Sequence, residues 1–337
     1  MREKMNTIGI DVSCKELVVV VMVNGKARKA KSFDNTPLGH QSIIRSLTKL
    51  KGETKVCIEA TGVYHFDLAV ALSRADNIEV MVINPKAAHN FFKVLMTRSK
   101  TDTIDAGNLA IYAERMPFDA WERPADECIS LKATARRIAA LNKQKTQTKN
   151  QLHALVSTVE TPALVIEQTE KLIDILDAQI KTLRDSALNI IHQNEELEQA
   201  YTLITGIKGI AQASAVQILS ELMILPKDMT ARQWVAHAGL DPRIFDSGSS
   251  VSKKPRISKV GNKYIRQALY MPALVSSRFE PNIKGYYHHL IDDNGLKKVQ
   301  AVCAVMRKLL HAIHGMLRTN KEFDGARFYT LPITTDS

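Results

Sequence analysis

Strand-like and helix-like patterns alternate from Thr7 to about Pro117, and this alternation constrains the fold more than any other feature of the chain. Residues 7–23, TIGIDVSCKELVVVVMV, are rich in β-branched side chains and close on Asn24-Gly25, a dipeptide suited to a tight hairpin; KARKAKSF then reads as the returning strand. Ile43, Ile44, Leu47 and Leu50 recur at helical spacing, KVCIEA reads as a short buried strand, FDLAVALSRA as a helix and IEVMVINP as another strand. The alternation predicts an α/β layer. A further helix, DTIDAGNLAIYAERM, starts at Asp102 with Thr101 as N-cap, carries Ile104, Leu109, Ala110 and Ala113 on its apolar face, and ends near Pro117.

From about Cys128 to Leu197 the pattern becomes helical. Leu131, Ala135, Ile138, Leu141, Leu152, Leu155, Val156 and Val159 form one stripe; Leu172, Ile173, Leu176, Ile180 and Leu183 form a second beyond Pro162. Two long helices are expected, either as a hairpin packed on its own chain or, the preferred reading, as a coiled coil between protomers, although Asn142 and Lys145 spoil a strict heptad. Residues 201–225 then read as two helices around Gly206-Ile-Lys208-Gly209, a helix-hairpin-helix-like element. There, glycine lets backbone approach a phosphate and the second helix points its unpaired N–H groups at it. Helices are also expected at 231–240, 262–275 and 299–318, and a loose tail after about Phe328. The division expected is 1–122 for the α/β domain, 123–197 for the long helices, 198–330 for a mainly helical C-terminal domain and 331–337 for the tail.

A chain of 337 residues can bury more than one core. Its formal charge of +11 is uneven: +4 over residues 1–120, −2 over 121–200 and +9 over 201–337. Arg243, Lys253, Lys254, Arg256, Lys259, Lys263 and Arg266 fall in one stretch whose one acid is Asp246. A solvated basic face would look similar, but this density favours a nucleic-acid partner. Cys14, Cys57, Cys128 and Cys303 form no CxxC pair, so neither a zinc site nor a disulfide framework is indicated, and a reducing, cytoplasmic compartment is expected. The longest apolar run near the start, Leu17 to Val23, is too short for a membrane span of about 20 residues.

Four acids stand in contexts that fix their geometry. Asp11 emerges from a strand, Glu59 lies at the C-terminal end of another, and Asp102 and Asp105 share one face of a helix at i and i+3. If that helix packs over the strands the four converge, and carboxylates so close need a compensating cation. Oxygen ligands select a hard ion, magnesium or manganese, that also takes phosphate oxygens. Taken singly, Asp11 could cap a turn, Glu59 could be a surface residue, and Asp102 and Asp105 could simply favour the start of their helix. In the basic stretch, DSGSSVSKKPR offers Ser247, Ser249 and Ser250 as hydroxyls, and composition does not choose among them. Tyr270 is a further hydroxyl in basic surroundings, though its helical spacing suits a core position.

IGIDVS, CIEATG, INP and KTDTIDA, followed by GLDPR, DSGSSV, RISKVGNKYIRQALYMPA and MRKLL, resemble the insertion sequence 110 family of transposases, relatives of the Piv site-specific invertase, over nearly the whole chain and in order. The resemblance implies a RuvC-like, ribonuclease H type N-terminal domain with a DEDD metal site, a coiled-coil segment and a C-terminal transposase domain with a nucleophilic serine. Carried over, the metal residues are Asp11, Glu59, Asp102 and Asp105, and the serine is Ser247. It further implies DNA as donor and target, a bridge RNA encoded beside the gene, and dimers or tetramers combining one subunit's carboxylates with another's serine.

An alcohol needs activation by a base, a metal or a lowered pKa before it attacks a phosphate. Arg243, Arg256 and Arg266 would hold that phosphate. The competing readings are a metal-dependent endonuclease using activated water, an ATP-binding actin or sugar-kinase fold, which lacks its second DxG loop here, and a non-catalytic nucleic-acid binder.

Overall fold

The computed structural model describes residues 5–96, 99–247 and 251–332, with the side chains of residues 244–255 outside that description. The chain divides into two compact units, Met1–Arg123 and Pro124–Ser337.

The first unit opens with β1 (Asn6–Val12), β2 (Glu16–Val23), β3 (Lys26–Ala27) and β4 (Lys31–Asp34), followed by α1 (Pro37–Leu47), β5 (Thr54–Glu59), α2 (Phe66–Ser73), β6 (Ile78–Ile83), α3 (Pro85–Val94) and α4 (Asp102–Arg115). Asn24 and Gly25 both adopt positive φ, 51° and 74°, the conformation a tight hairpin requires after β2. The strand order is β3-β2-β1-β5-β6, with β4 also pairing β2. β1 is antiparallel to β2 and parallel to β5, which is parallel to β6.

Both faces of this mixed sheet are covered, so β2 is buried on alternate sides. Leu17 and Val19 join Ile8, Ile10, Val56 and Ile58 against Ile43, Leu47, Leu68 and Leu72 of α1 and α2. Val18 and Val20 face Ala106 of α4, while Cys57, Met81 and Ile83 face Ala88 of α3 and Leu109 and Ala113 of α4. The near-continuous apolar run LVVVV is what such a two-sided position demands.

The second unit begins with α5 (Asp126–Val156) and α6 (Ala163–His192), continues with α7 (Glu195–Thr205), α8 (Gln212–Leu222) and α9 (Ala231–Ala238), then β7 (Pro242–Ser247) and β8 (Val251–Ile257), and ends with α10 (Lys263–Phe279), α11 (Pro281–Asp292), α12 (Lys298–Thr319) and α13 (Gly325–Phe328). One core runs through it, from Leu131 and Ile138 of α5 and Ile180 and Ile191 of α6 to Ile218, Leu269, Val305 and Ile313.

Within the chain α5 and α6 pack on each other as a hairpin. The seam polar residues are satisfied locally: Asn142 Nδ2 donates back to the Ile138 carbonyl at 2.9 Å, and Lys145 pairs with Asp177 across the hairpin. Toward the tip Val156, Val159, Leu164, Leu172 and Ile175 are exposed.

Three features depart from or add to the sequence expectations. The basic stretch, where the sequence offers no strand pattern, forms β7 and β8, which pair antiparallel with a bulge between Arg243 and Phe245 before the chain turns into α10. Glu280-Pro281 starts an additional helix, Glu280 accepting the Ile283 N–H at 2.6 Å. Tyr329 is not loose, because its carbonyl accepts a hydrogen bond from Asn282 Nδ2 at 2.7 Å and its ring stacks on His289; residues 333–337 lie outside the described residues.

Candidate active site and nucleic-acid surface

Along β1, Ile8, Ile10 and Val12 point to the α1–α2 side, which leaves Thr7, Gly9 and Asp11 on the α4 side. Gly9 is what lets α4 come close. A Cβ there would overlap the Ala106 carbonyl oxygen and the Ala110 nitrogen and stand 2.8 Å from the Leu109 Cβ. The helix backbone therefore rests on the strand one turn beyond its own first residues, Asp102 and Asp105.

β5 brings the second carboxylate. Gly9 is in register with Cys57 and Ile10 with Ile58, so Glu59 stands one position further on, beside Asp11 and on the same face. Neighbouring strands lie about 4.8 Å apart. Thr61 Oγ1 donates to Glu59 Oε1 at 3.1 Å. The Cys57 thiol below is pushed up to about 12, by burial first and by the Glu59 charge second, and stays a neutral floor.

The third and fourth acids come from the first turn of α4. Thr101 is the N-cap: its side chain accepts the Ile104 N–H at 3.2 Å, and its carbonyl accepts the Asp105 N–H at 2.9 Å. Both aspartates enjoy the positive end of the helix.

The electrostatics tie the four together. Burial and then the charges of Asp102, Asp105 and Glu59, in that order, push the Asp11 carboxyl up to about 6, against a hydrogen bond from the Val12 backbone. Burial raises Asp105 too; Lys100 pulls it down and Asp102 pushes it up. All four carboxylates thus act on one point at the carboxyl end of the sheet. Their oxygens are not drawn together as ligands: among the described residues no three His, Cys, Asp or Glu side chains form a group that could hold a metal ion. Mutual repulsion keeps such side chains apart, and Asp102 is exposed. An oxygen-only donor set around a carboxyl whose negative form is disfavoured by its neighbours nevertheless fits a hard divalent cation.

In the second unit Ser247 is the last residue of β7 and pairs with Val251; its side chain, like those of Lys253 and Lys254, lies outside the described residues, as do Ser249 and Ser250 altogether. Arg243 and Arg256 are direct cross-strand partners, a like-charge pair that an anion would stabilise, and both are exposed. Lys259 and Lys263 are exposed as well. Arg266 is used internally: its Nη1 donates to the Ala238 carbonyl at the end of α9, at 2.8 Å.

The helix-hairpin-helix glycines divide. Gly206 has an ordinary helical φ of −65°, whereas Gly209 has φ 111° and is pressed against Ser276 and Pro272 of α10, so its close approach is internal rather than toward a ligand. Lys208 between them is exposed, and its carbonyl accepts from Ser276 Oγ at 2.6 Å. Ala211 caps α8 without a side-chain hydrogen bond.

The sequence reading missed what fixes the ribbon's root. Glu221 of α8, 2% exposed, takes Arg136 Nε at 2.7 Å and Nη2 at 3.0 Å from α5, and Asn262 Nδ2 at 2.7 Å from the N-cap of α10. Arg136 also lies over the Tyr264 ring at 4.5 Å. Across the ribbon's base, Ser258 N–H donates to the Asp241 carbonyl at 2.8 Å. The one local signal was an acid inside the apolar run ILSELMIL. Lys100, whose charge lowers the Asp105 pKa, was likewise passed over although it adjoins the TDTID segment.

Residues 8–160 match a family model described as "Transposase", and residues 201–288 match one described as "Transposase IS116/IS110/IS902 family". The pilin gene-inverting proteins of Moraxella bovis and Moraxella lacunata are each 30% identical to this chain over 275 residues, which is 79% of this chain and 81% of theirs. Among the described residues no helix is long and apolar enough to cross a membrane.

Proposed function

Because the chain belongs to the IS110 family of transposases, we propose that it breaks and rejoins DNA through a covalent serine–DNA intermediate, Ser247 being the nucleophile and Asp11, Glu59, Asp102 and Asp105 the metal-holding acids of a ribonuclease H type domain. The observation that carries this reading is the crowding of negative charge on Asp11 by three carboxylates arriving from a neighbouring strand and a helix.

Bound there, a magnesium or manganese ion supplies Lewis-acid polarisation of a phosphoryl oxygen. Asp11 and Glu59, held on adjacent strands, would give oxygen donors to it, and Asp102 and Asp105, from the first turn of α4, would give two more. Ser247 Oγ bonds to phosphorus as the ester oxygen of the broken strand leaves and takes up a proton. The serine ester keeps the phosphodiester's bond energy, so attack by the hydroxyl of an incoming strand rejoins DNA and releases the serine without ATP. Arg243, Lys253, Lys254, Arg256, Lys259 and Lys263 neutralise phosphates along the substrate.

Target choice is assigned to a bridge RNA that pairs with donor and target, and the working unit to a dimer or tetramer in the cytoplasm. The exposed apolar side chains near the tip of the α5–α6 hairpin support assembly.

The test is adduct trapping with DNA carrying the element's junction. Wild-type protein should yield a denaturant-stable protein–DNA adduct, Ser247→Ala none, and Asp11→Asn none despite retained DNA binding. Strand cleavage by wild-type protein with no adduct would instead identify a water-using endonuclease.

A further inference from the structure

We propose that the cavity between α7, α8, α9 and α12 receives one unpaired nucleotide, its base against the leucines beside Trp234 and its phosphate on Arg318 at the rim. The proposal rests on the nucleic-acid reading above and adds a second contact outside the β7–β8 ribbon.

The cavity measures about 300 Å³, at the small end for ligand sites, and so suits one planar heterocycle rather than a length of helix. Leu203, Leu222 and Leu317 line it together with Trp234. Trp234 is 8% exposed, and its Nε1 is buried without a hydrogen-bond partner. A buried donor with no acceptor costs stability, so an acceptor brought into the cavity that this indole borders would favour a small shift that satisfies it. His314 forms the next wall: its ring meets Trp234 edge-on at 4.8 Å, and its Nε2 donates to the Met229 carbonyl at 2.8 Å, which locks the pair.

The rim is cationic. Lys227 is held by Glu196 at 2.9 Å, the one acid in the lining, while Arg318 makes no ion pair among the described residues. The charge continues along α12 and α9. Burial lowers the His311 pKa first, and Arg307, His314 and Arg232 lower it further, with no acid opposing them. Arg232 and Arg307 are exposed and, among the described residues, make no ion pair. A slot that sets leucines beside Trp234 and carries Arg318 without an ion pair at its rim matches a base with its phosphate: apolar contact holds the ring and arginine holds the backbone.

Trp121 and Trp234 are the two tryptophans of the chain. Full-length Trp121→Phe protein therefore reports on the cavity alone. It should be titrated with end-labelled oligothymidylate, oligouridylate and a duplex of equal length, reading Trp234 emission and label anisotropy together. Saturable quenching by a single strand, at the midpoint given by anisotropy and absent with the duplex, supports the proposal; the ratio between the deoxy and ribo strands tells whether DNA or RNA supplies the nucleotide. Arg318→Gln should weaken strand binding about three- to tenfold and reduce the logarithmic salt slope by about one. A strand that binds with Trp234 emission unchanged, or an Arg318→Gln variant with unaltered affinity and slope, overturns the proposal while leaving the transposase reading intact. Failure of every nucleic acid to bind overturns both.

Discussion

Gly9 of β1 and Ala106 of α4 touch backbone to backbone, with no room for a methyl group between them. That contact lets the first turn of α4 bring Asp102 and Asp105 to bear on Asp11. Gly9→Ala should therefore lift the helix off the sheet, at a cost of at least about 3 kcal/mol, because the obstruction is main chain and cannot rotate away. Thermal unfolding would register it, and a melting point unchanged from wild type would mean that the helix does not need this seat.

Asp11→Asn should abolish strand cleavage yet stabilise the protein. The carboxyl's folded-state pKa of about 6 exceeds the ordinary 3.8, so the folded state binds the proton more tightly. The sign follows: below 3.8 Asp11 is protonated folded or unfolded and costs nothing, a penalty grows as pH rises to about 6, and above that it is constant. Allowing for solvent screening, the substitution should gain about 1–2 kcal/mol at pH 7.5, roughly 3 to 8 °C, and little at pH 3.5. Melting curves at the two pH values check this; a variant less stable than wild type at pH 7.5 would contradict it.

Millimolar magnesium should raise the melting temperature of the wild-type protein and leave Asp11→Asn nearly unmoved, since a ligand of the folded state stabilises in proportion to occupancy. Chelator should erase both the shift and any adduct formation. Equal magnesium shifts in the two proteins would place the ion elsewhere.

Glu221→Ala should be more damaging than a typical substitution, about 2–4 kcal/mol, because it removes a buried carboxylate that the 38%-exposed Arg136 side chain and the half-buried Asn262 amide both use. Glu221→Gln, which keeps some of these hydrogen bonds, should cost less. Denaturant midpoints for the two variants separate the cases, and equal losses would count against the hub.

Substituting Lys253 and Lys254 with Gln should flatten the dependence of DNA affinity on salt, by about one logarithmic unit for each phosphate that is no longer neutralised. Binding isotherms at several salt concentrations measure it directly. An unchanged slope removes the ribbon from the interface.

The strands, the helices over them and the setting of the four acids were legible because each is written in local period: alternation through Thr7, Gly9 and Asp11, helical spacing from Ile104 to Ala113, and Thr101 one residue ahead of the helix. The helix at Pro85 was missed although Asn84-Pro85 announces it, the Asn84 side chain accepting the Lys86 N–H at 2.8 Å. The β7–β8 ribbon was not legible, since Asp, Ser, Lys and Pro are poor strand formers and only the partner strand makes them pair. Glu221 was beyond local reading for a different reason. Its arginine lies 85 residues away on another helix, and no pattern in either segment names the other.

The grip on Glu221 also has a mechanical meaning. α5, at 31 residues, is about 46 Å long, and Arg136 clamps it near its fixed end to the carboxylate that also secures the turn into α10. Whatever pulls or twists the distant tip of that lever delivers torque at the fulcrum where the serine-bearing ribbon is rooted.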